Sequence, residues 1–264
     1  SKTLNIALAG TGVGKSLFMC HLASSYLLQG LNVLYITLEM AEERIAERID
    51  ANLLDVTMED LHDMPQQLYE GKISKLREKT QGQLVIKEYP TASAHSGHFK
   101  SLMNELALKK SFRPDVIFID YLNICASSRF KGGNISSYFY VKAIAEELRG
   151  LAVEFNVPIF SATQTTRTGF VSTDIGLEDT SESFGLPATA DFMFALISNE
   201  ELEALGQMKV KQLKNRYNDP SVNRAFIIGV DRAKMRLYDV QQKAGDIVDA
   251  NQVDEKEDAY NKFS

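Results

Sequence analysis

Ala9-Gly10-Thr11-Gly12-Val13-Gly14-Lys15-Ser16 follows an apolar run at residues 6–9 and opens a segment where Phe18, Met19, Leu22, Ala23, Tyr26 and Leu27 recur at helical spacing. Small residues between a buried strand and a helix let successive backbone N–H groups turn toward a phosphate, and the helix N-terminus adds its dipole. Gly10, Gly12 and Gly14 supply that freedom, with Thr11 and Val13 between them and Leu17 just beyond. Lys15 is expected to reach the β- and γ-phosphates of ATP, and the Ser16 hydroxyl to join a Mg²⁺ shell. The strict phosphate-loop pattern places glycine where this chain has Ala9, one departure from an otherwise complete match. Gly30 is positioned to end the helix as a C-terminal cap.

Working outward, further apolar runs at 33–38, 116–119 and 157–160 fit buried strands, and helices are expected over 42–54 and 99–110. Strands alternating with helices predict an α/β fold with a mostly parallel central sheet flanked by helices. Beyond Asp191 the texture changes to shorter runs at 192–197, 210–213, 225–230 and 236–240, which predict added, partly antiparallel strands near the C-terminus. Residues 1–244 read as one domain and 245–264 as an acidic, disordered tail.

Composition limits the function classes. The formal charge of −6 is carried mostly by the tail, whose six acids and two bases leave about −2 on the remaining residues. A nearly neutral body excludes a surface coated in nucleic acid and leaves room for a local basic path. No apolar run is long enough to span a bilayer and no secretory leader stands at the start, so no membrane association and a cytoplasmic location are expected. Cys20 and Cys125 lie in no ligand-like cluster and read as reduced packing residues. The chain begins almost directly in a strand, the mark of a fragment from a longer polypeptide.

Two carboxylates complete the candidate site. Asp120 ends the run at 116–119, where a strand-end carboxylate can hold the Mg²⁺ water shell opposite Ser16. Glu39 follows the run at 33–38, and strand ends on that side of a doubly wound sheet converge on the ligand. A carboxylate there can deprotonate a water attacking the γ-phosphate, which implies hydrolysis rather than transfer. His95 and His98 share a His-x-x-His spacing without a third ligand nearby and read as a solvated loop, and 72–79 as an exposed helix face.

Leu38-Glu39-Met40, Ile119-Asp120-Tyr121-Leu122, Ser161-Ala162-Thr163-Gln164 and Lys214-Asn215-Arg216 occur in the order found in DnaB-like hexameric replicative helicases. Met40-Ala41-Glu42-Glu43 and Arg48-Ile49-Asp50-Ala51-Asn52 further resemble the replicative helicases of T-even-type bacteriophages. The resemblance covers about residues 3–240 and implies the RecA-like P-loop NTPase fold of the C-terminal motor domain, with ATP and Mg²⁺ bound and hydrolysed. It implies a homo-hexameric ring that moves 5'-to-3' on single-stranded DNA and unwinds duplex. Primase and a helicase loader are its implied partners, and the bacterial host cytoplasm its location if phage-encoded. An N-terminal primase-interacting domain and linker helix would precede Ser1. Residue by residue, Lys15 and Ser16 would bind MgATP, Glu39 act as base, Asp120 support the metal and Gln164 sense the γ-phosphate. Lys214 and Arg216 would reach a neighbouring subunit's nucleotide, the arginine as a finger. For DNA, the loops at 127–137, with Arg129 and Lys131, and at 165–183, with Arg167, are the expected contacts. A RecA-type recombinase sharing the fold, and an ATP-binding switch without turnover, remain alternatives.

Overall fold

The structure, a computed structural model, describes residues 1–130, 135–165, 175–180, 185–219 and 222–241. Lys131, Arg167 and the acidic tail therefore lie outside the described residues. Six parallel strands form one side of a nine-stranded sheet: β1 (Leu4–Ala9), β2 (Val33–Thr37), β3 (Leu84–Glu88), β4 (Val116–Asp120), β5 (Ile159–Gln164) and β6 (Phe192–Ile197). Three antiparallel strands, β7 (Gln207–Asn215), β8 (Ala225–Asp231) and β9 (Arg236–Asp239), extend it at the C-terminal side. The strand order is β3-β2-β4-β5-β1-β6-β7-β8-β9.

Helices connect and cover these strands: α1 (Lys15–Leu28), α2 (Glu42–Leu54), α3 (Met58–His62), α4 (Gln66–Lys79), α5 (Ser96–Lys110), α6 (Ser137–Phe155), α7 (Gly185–Thr189) and α8 (Glu200–Ala204). Side chains alternate across a strand, so β1 sends Leu4 and Ile6 to one layer and Ala7 and Ala9 to the other. The first layer holds Phe99 and Met103 of α5 with Ile144 and Leu148 of α6. The second holds Leu17 and Cys20 of α1 with Ile45 and Ile49 of α2. Burial on both faces is why the central strands read as unbroken apolar runs. The added antiparallel strands fall where the shorter runs predicted them.

Several boundaries differ from the sequence reading, each for a physical reason. β5 starts after Pro158 and continues through Ser161, Ala162 and Thr163, because a central strand tolerates small polar residues whose groups find partners. Ser161 Oγ donates to the Ile119 carbonyl at 2.6 Å. The edge strand β3 and the long helix α6 carried no reading of their own. α1 ends at Leu28, with Gly30 at φ 81° closing the turn through its amide to the Leu27 carbonyl at 2.9 Å, as the capping glycine predicts. The two histidines are a helix cap rather than a solvated loop. His95 Nδ1 accepts from the Gly97 amide at 3.0 Å, and His98 Nδ1 accepts from the His95 amide at 3.2 Å. Among the described residues, no group of three or more His, Cys, Asp or Glu is arranged to hold a metal ion, and no helix is long and apolar enough to cross a membrane. Cys20 and Cys125 are buried free thiols, and burial pushes Cys20 up to about 12.

Candidate nucleotide site

Parallel strands leave their C-terminal ends on one edge of the sheet, and four such ends build the site. Ala9 of β1 stands beside Gln164 of β5, and Thr37 of β2 beside Asp120 of β4. The phosphate loop leaves β1 and enters α1. Gly12 and Gly14 have φ of 79° and 125°, the region that favours glycine, which explains two of the loop's three glycines. Gly14 precedes Lys15, the first residue of α1, and the Phe18 amide closes the first helical turn on the Gly14 carbonyl at 2.9 Å.

Lys15 curls over the loop, donating to the Gly10 carbonyl at 3.3 Å, with its ammonium 5.9 Å from the centre of the Tyr121 ring. Burial pushes its pKa down, while Glu39 and Asp120 pull it up, so both carboxylates act on the lysine meant for phosphate. Asp120 is 1% exposed. Its Oδ2 accepts from the Tyr35 hydroxyl at 3.0 Å, whereas Oδ1 is buried without a hydrogen-bond partner among the described residues. Burial raises the Asp120 pKa above its ordinary value, against the hydroxyls of Ser16 and Tyr35, which favour its charged form. A buried carboxylate with an unused oxygen beside a hydroxyl suits a hard cation such as Mg²⁺.

Glu39 stands exposed two residues past β2, facing the site without being sealed into it. Gln164 donates to the Tyr121 hydroxyl at 3.3 Å. Tyr121 thus joins Lys15 to Gln164, a role the sequence reading missed; its signal was the place directly after a strand-end aspartate. Burial raises its pKa, with Glu39 and Asp120 adding to the effect. The Asp120–Tyr121 peptide is cis. Arg232, in the turn between β8 and β9, was also missed: it donates to the Val13 carbonyl at 3.2 Å and so leans on the loop. Gly10, Thr11, Gly12, Val13, Gly14, Lys15, Ser16 and Leu17, with Glu39, Asp120 and Gln164, are therefore brought to one edge.

Lys214 and Arg216 are not. They lie at the end of β7, next to Phe192 at the start of β6, on the opposite edge of the sheet. Lys214 Nζ donates to the Pro187 and Ala188 carbonyls, and Arg216 Nη2 to the Ala188 carbonyl at 3.1 Å. Arg216 Nε pairs with Asp191 Oδ1 at 2.9 Å. Leu4, at the far end of β1, donates its amide to Asp191 Oδ2 at 3.0 Å. Six residues of β1 thus separate this cluster from the phosphate loop, about 20 Å at strand rise. Arg129 pairs with Glu146 of α6.

The fold and site define a RecA-like P-loop domain, an α/β sheet whose strand ends surround a glycine-rich phosphate loop. The chain belongs to the DnaB-like helicase C terminal domain family, whose model matches residues 1–235. It is 45% identical over 268 residues to the DnaB-like replicative helicase of Enterobacteria phage T4, covering 98% of this chain and 56% of that protein. It is 33% identical over 168 residues to a probable plasmid replicative DNA helicase of Chlamydia trachomatis, covering 61% of this chain and 35% of that protein. The chain thus spans little more than half the length of the phage relative. A solved structure of an isolated ATPase domain has the same fold, with a TM-score of 0.74 at 17% identity over 91% of this chain and 85% of that one. So does a DnaB-like replicative helicase whose structure was described with its interactions with primase, at TM-score 0.74 and 17% identity over 91% of this chain and 58% of that one.

Proposed function

We propose that this chain is the ATP-hydrolysing motor domain of a replicative DNA helicase. The observation that carries the reading is the meeting of Lys15, Ser16, Glu39, Asp120 and Gln164 around one phosphate loop, in a chain of the DnaB-like family. The glycine loop and the N-terminus of α1 cradle the phosphates of ATP, and Lys15 turns from the Gly10 carbonyl to the β- and γ-phosphates. Ser16 and the free Oδ1 of Asp120 are the residues that would hold Mg²⁺, which when bound neutralises charge on the β- and γ-phosphates. Glu39 takes a proton from the attacking water as its oxygen bonds to the γ-phosphorus and the bond to the β-phosphate oxygen breaks, giving ADP and phosphate. Gln164, tied to Tyr121, precedes the segment at 165–183, so a side chain near the γ-phosphate stands at the root of a candidate DNA loop.

Arg216 and Lys214 act on the nucleotide of the next subunit in a homo-hexameric ring, since their own phosphate loop lies at the other edge of the sheet. Single-stranded DNA runs through the ring against Arg129, Lys131 and Arg167, with 5'-to-3' movement, primase and a helicase loader following from family membership. The test is hydrolysis of MgATP with and without single-stranded DNA, with nucleotide affinity measured separately. DNA should stimulate turnover; Lys15→Ala should weaken nucleotide binding, whereas Glu39→Gln should bind nucleotide and not turn it over. Equal loss of affinity in both variants would remove Glu39 from its role as base.

A further inference from the structure

Asp191 is fully buried, yet its carboxylate is the meeting point of two arginines from distant parts of the chain. Arg149 of α6 approaches it in bidentate fashion, Nε at 3.2 and 3.1 Å from the two oxygens and Nη2 at 3.1 Å from Oδ1. Arg216 Nε takes Oδ1 at 2.9 Å, the Tyr217 hydroxyl donates to the same oxygen at 3.4 Å, and the Leu4 amide holds Oδ2. The backbone closes the same grip, the Arg216 amide donating to the Asp191 carbonyl at 2.9 Å. Burying a carboxylate is weak evidence of a stabilising device, because desolvation offsets much of the attraction. Geometry is what such a cluster supplies. With Nε on Asp191 and Nη2 on the Ala188 carbonyl, the Arg216 guanidinium is fixed in plane and direction. One carboxylate against two guanidiniums also leaves this edge with an excess positive charge, suited to an incoming phosphate.

We infer that Asp191, itself held by Arg149, is the positioning residue for Arg216, orienting the guanidinium before the neighbouring subunit's nucleotide arrives. The inference rests on the reading of Arg216 as an arginine finger given in trans. A pre-oriented donor stabilises transition-state charge without reorganising at the moment of reaction, so the effect falls on turnover and not on nucleotide binding.

The experiment measures kcat and, separately, the affinity for a fluorescent ATP analogue in Asp191→Asn, Arg216→Ala and the double variant, each as assembled full chain. Asp191→Asn should lower kcat by about tenfold or more with affinity within about twofold. The double variant should be no slower than Arg216→Ala alone, because a positioning residue has nothing left to position. An inactive Arg216→Ala beside a fully active Asp191→Asn would overturn this inference and leave the finger standing. An active Arg216→Ala would overturn both. If Asp191→Asn does not fold, Arg149→Gln replaces it, since Arg149 is partly exposed. Lower kcat restored by Arg149→Lys supports the inference, and wild-type kcat in Arg149→Gln overturns it.

Discussion

Asp120 shows how a single side chain carries opposite demands of stability and function. Its pKa is raised by burial, so between the ordinary value of 3.8 and the raised one the folded protein keeps a proton that the unfolded chain has lost. Stability therefore falls as pH rises through that window, and above it the nucleotide-free protein holds a buried charge at a cost. Asp120→Asn should raise the thermal midpoint of the nucleotide-free protein by a few degrees, at about 2–4 °C per kcal/mol, and abolish Mg²⁺-dependent turnover. Thermal melts with and without MgATP check this. A lower midpoint in Asp120→Asn, or the same stabilisation by MgATP as in wild type, would show that the buried carboxylate is not awaiting a cation.

The segment joining β4 to α6 illustrates the next scale, where elements hold loops in place. Glu147 of α6 accepts from Ser127 Oγ at 2.7 Å, the Ser128 amide at 3.0 Å and Ser96 Oγ at 2.8 Å. Burial alone would raise its pKa, but these hydrogen bonds outweigh it and hold the carboxyl below its ordinary value. The root of the loop is thereby fixed, while one residue earlier Glu146 occupies Arg129. Both side chains of that ion pair are substantially exposed, so a DNA phosphate can compete for the arginine. Glu146→Gln should tighten single-stranded DNA binding, and Arg129→Ala should weaken it and lower the slope of log affinity against log salt by about 0.7. A slope unchanged in Arg129→Ala places the DNA path elsewhere. This same segment marks where sequence reading ends. The strands β1, β2 and β4 were legible because burial on both faces writes continuous apolar runs, and the phosphate loop because its glycines stand between strand and helix. The helix α6 was not, since it follows glycines and serines that read as loop. Asp191 was not legible either: its partner Arg149 lies 42 residues away and only the folded sheet brings them together.

At the scale of the whole molecule, the separation of two chemistries across the sheet decides the account. Lys15, Glu39 and Asp120 gather where the parallel strands end, whereas Arg216 sits where β1 and β6 begin, about 20 Å from its own phosphate loop. A complete site in this arrangement requires two subunits. An arginine finger supplied in trans contributes about 10³ to 10⁵ in turnover, so Arg216→Ala should bind ATP and be nearly inactive. Glu39→Gln should be equally inactive because it lacks the base. The most direct test mixes these two variants under assembly conditions, with differently sized tags to confirm that they co-assemble. Interfaces that pair an intact Glu39 with an intact Arg216 from the neighbour contain a whole site, and ATPase activity above the sum of the separate variants is the predicted result. Mixed assemblies that form and stay inactive, together with normal hydrolysis by Arg216→Ala alone, would contradict a site shared between subunits.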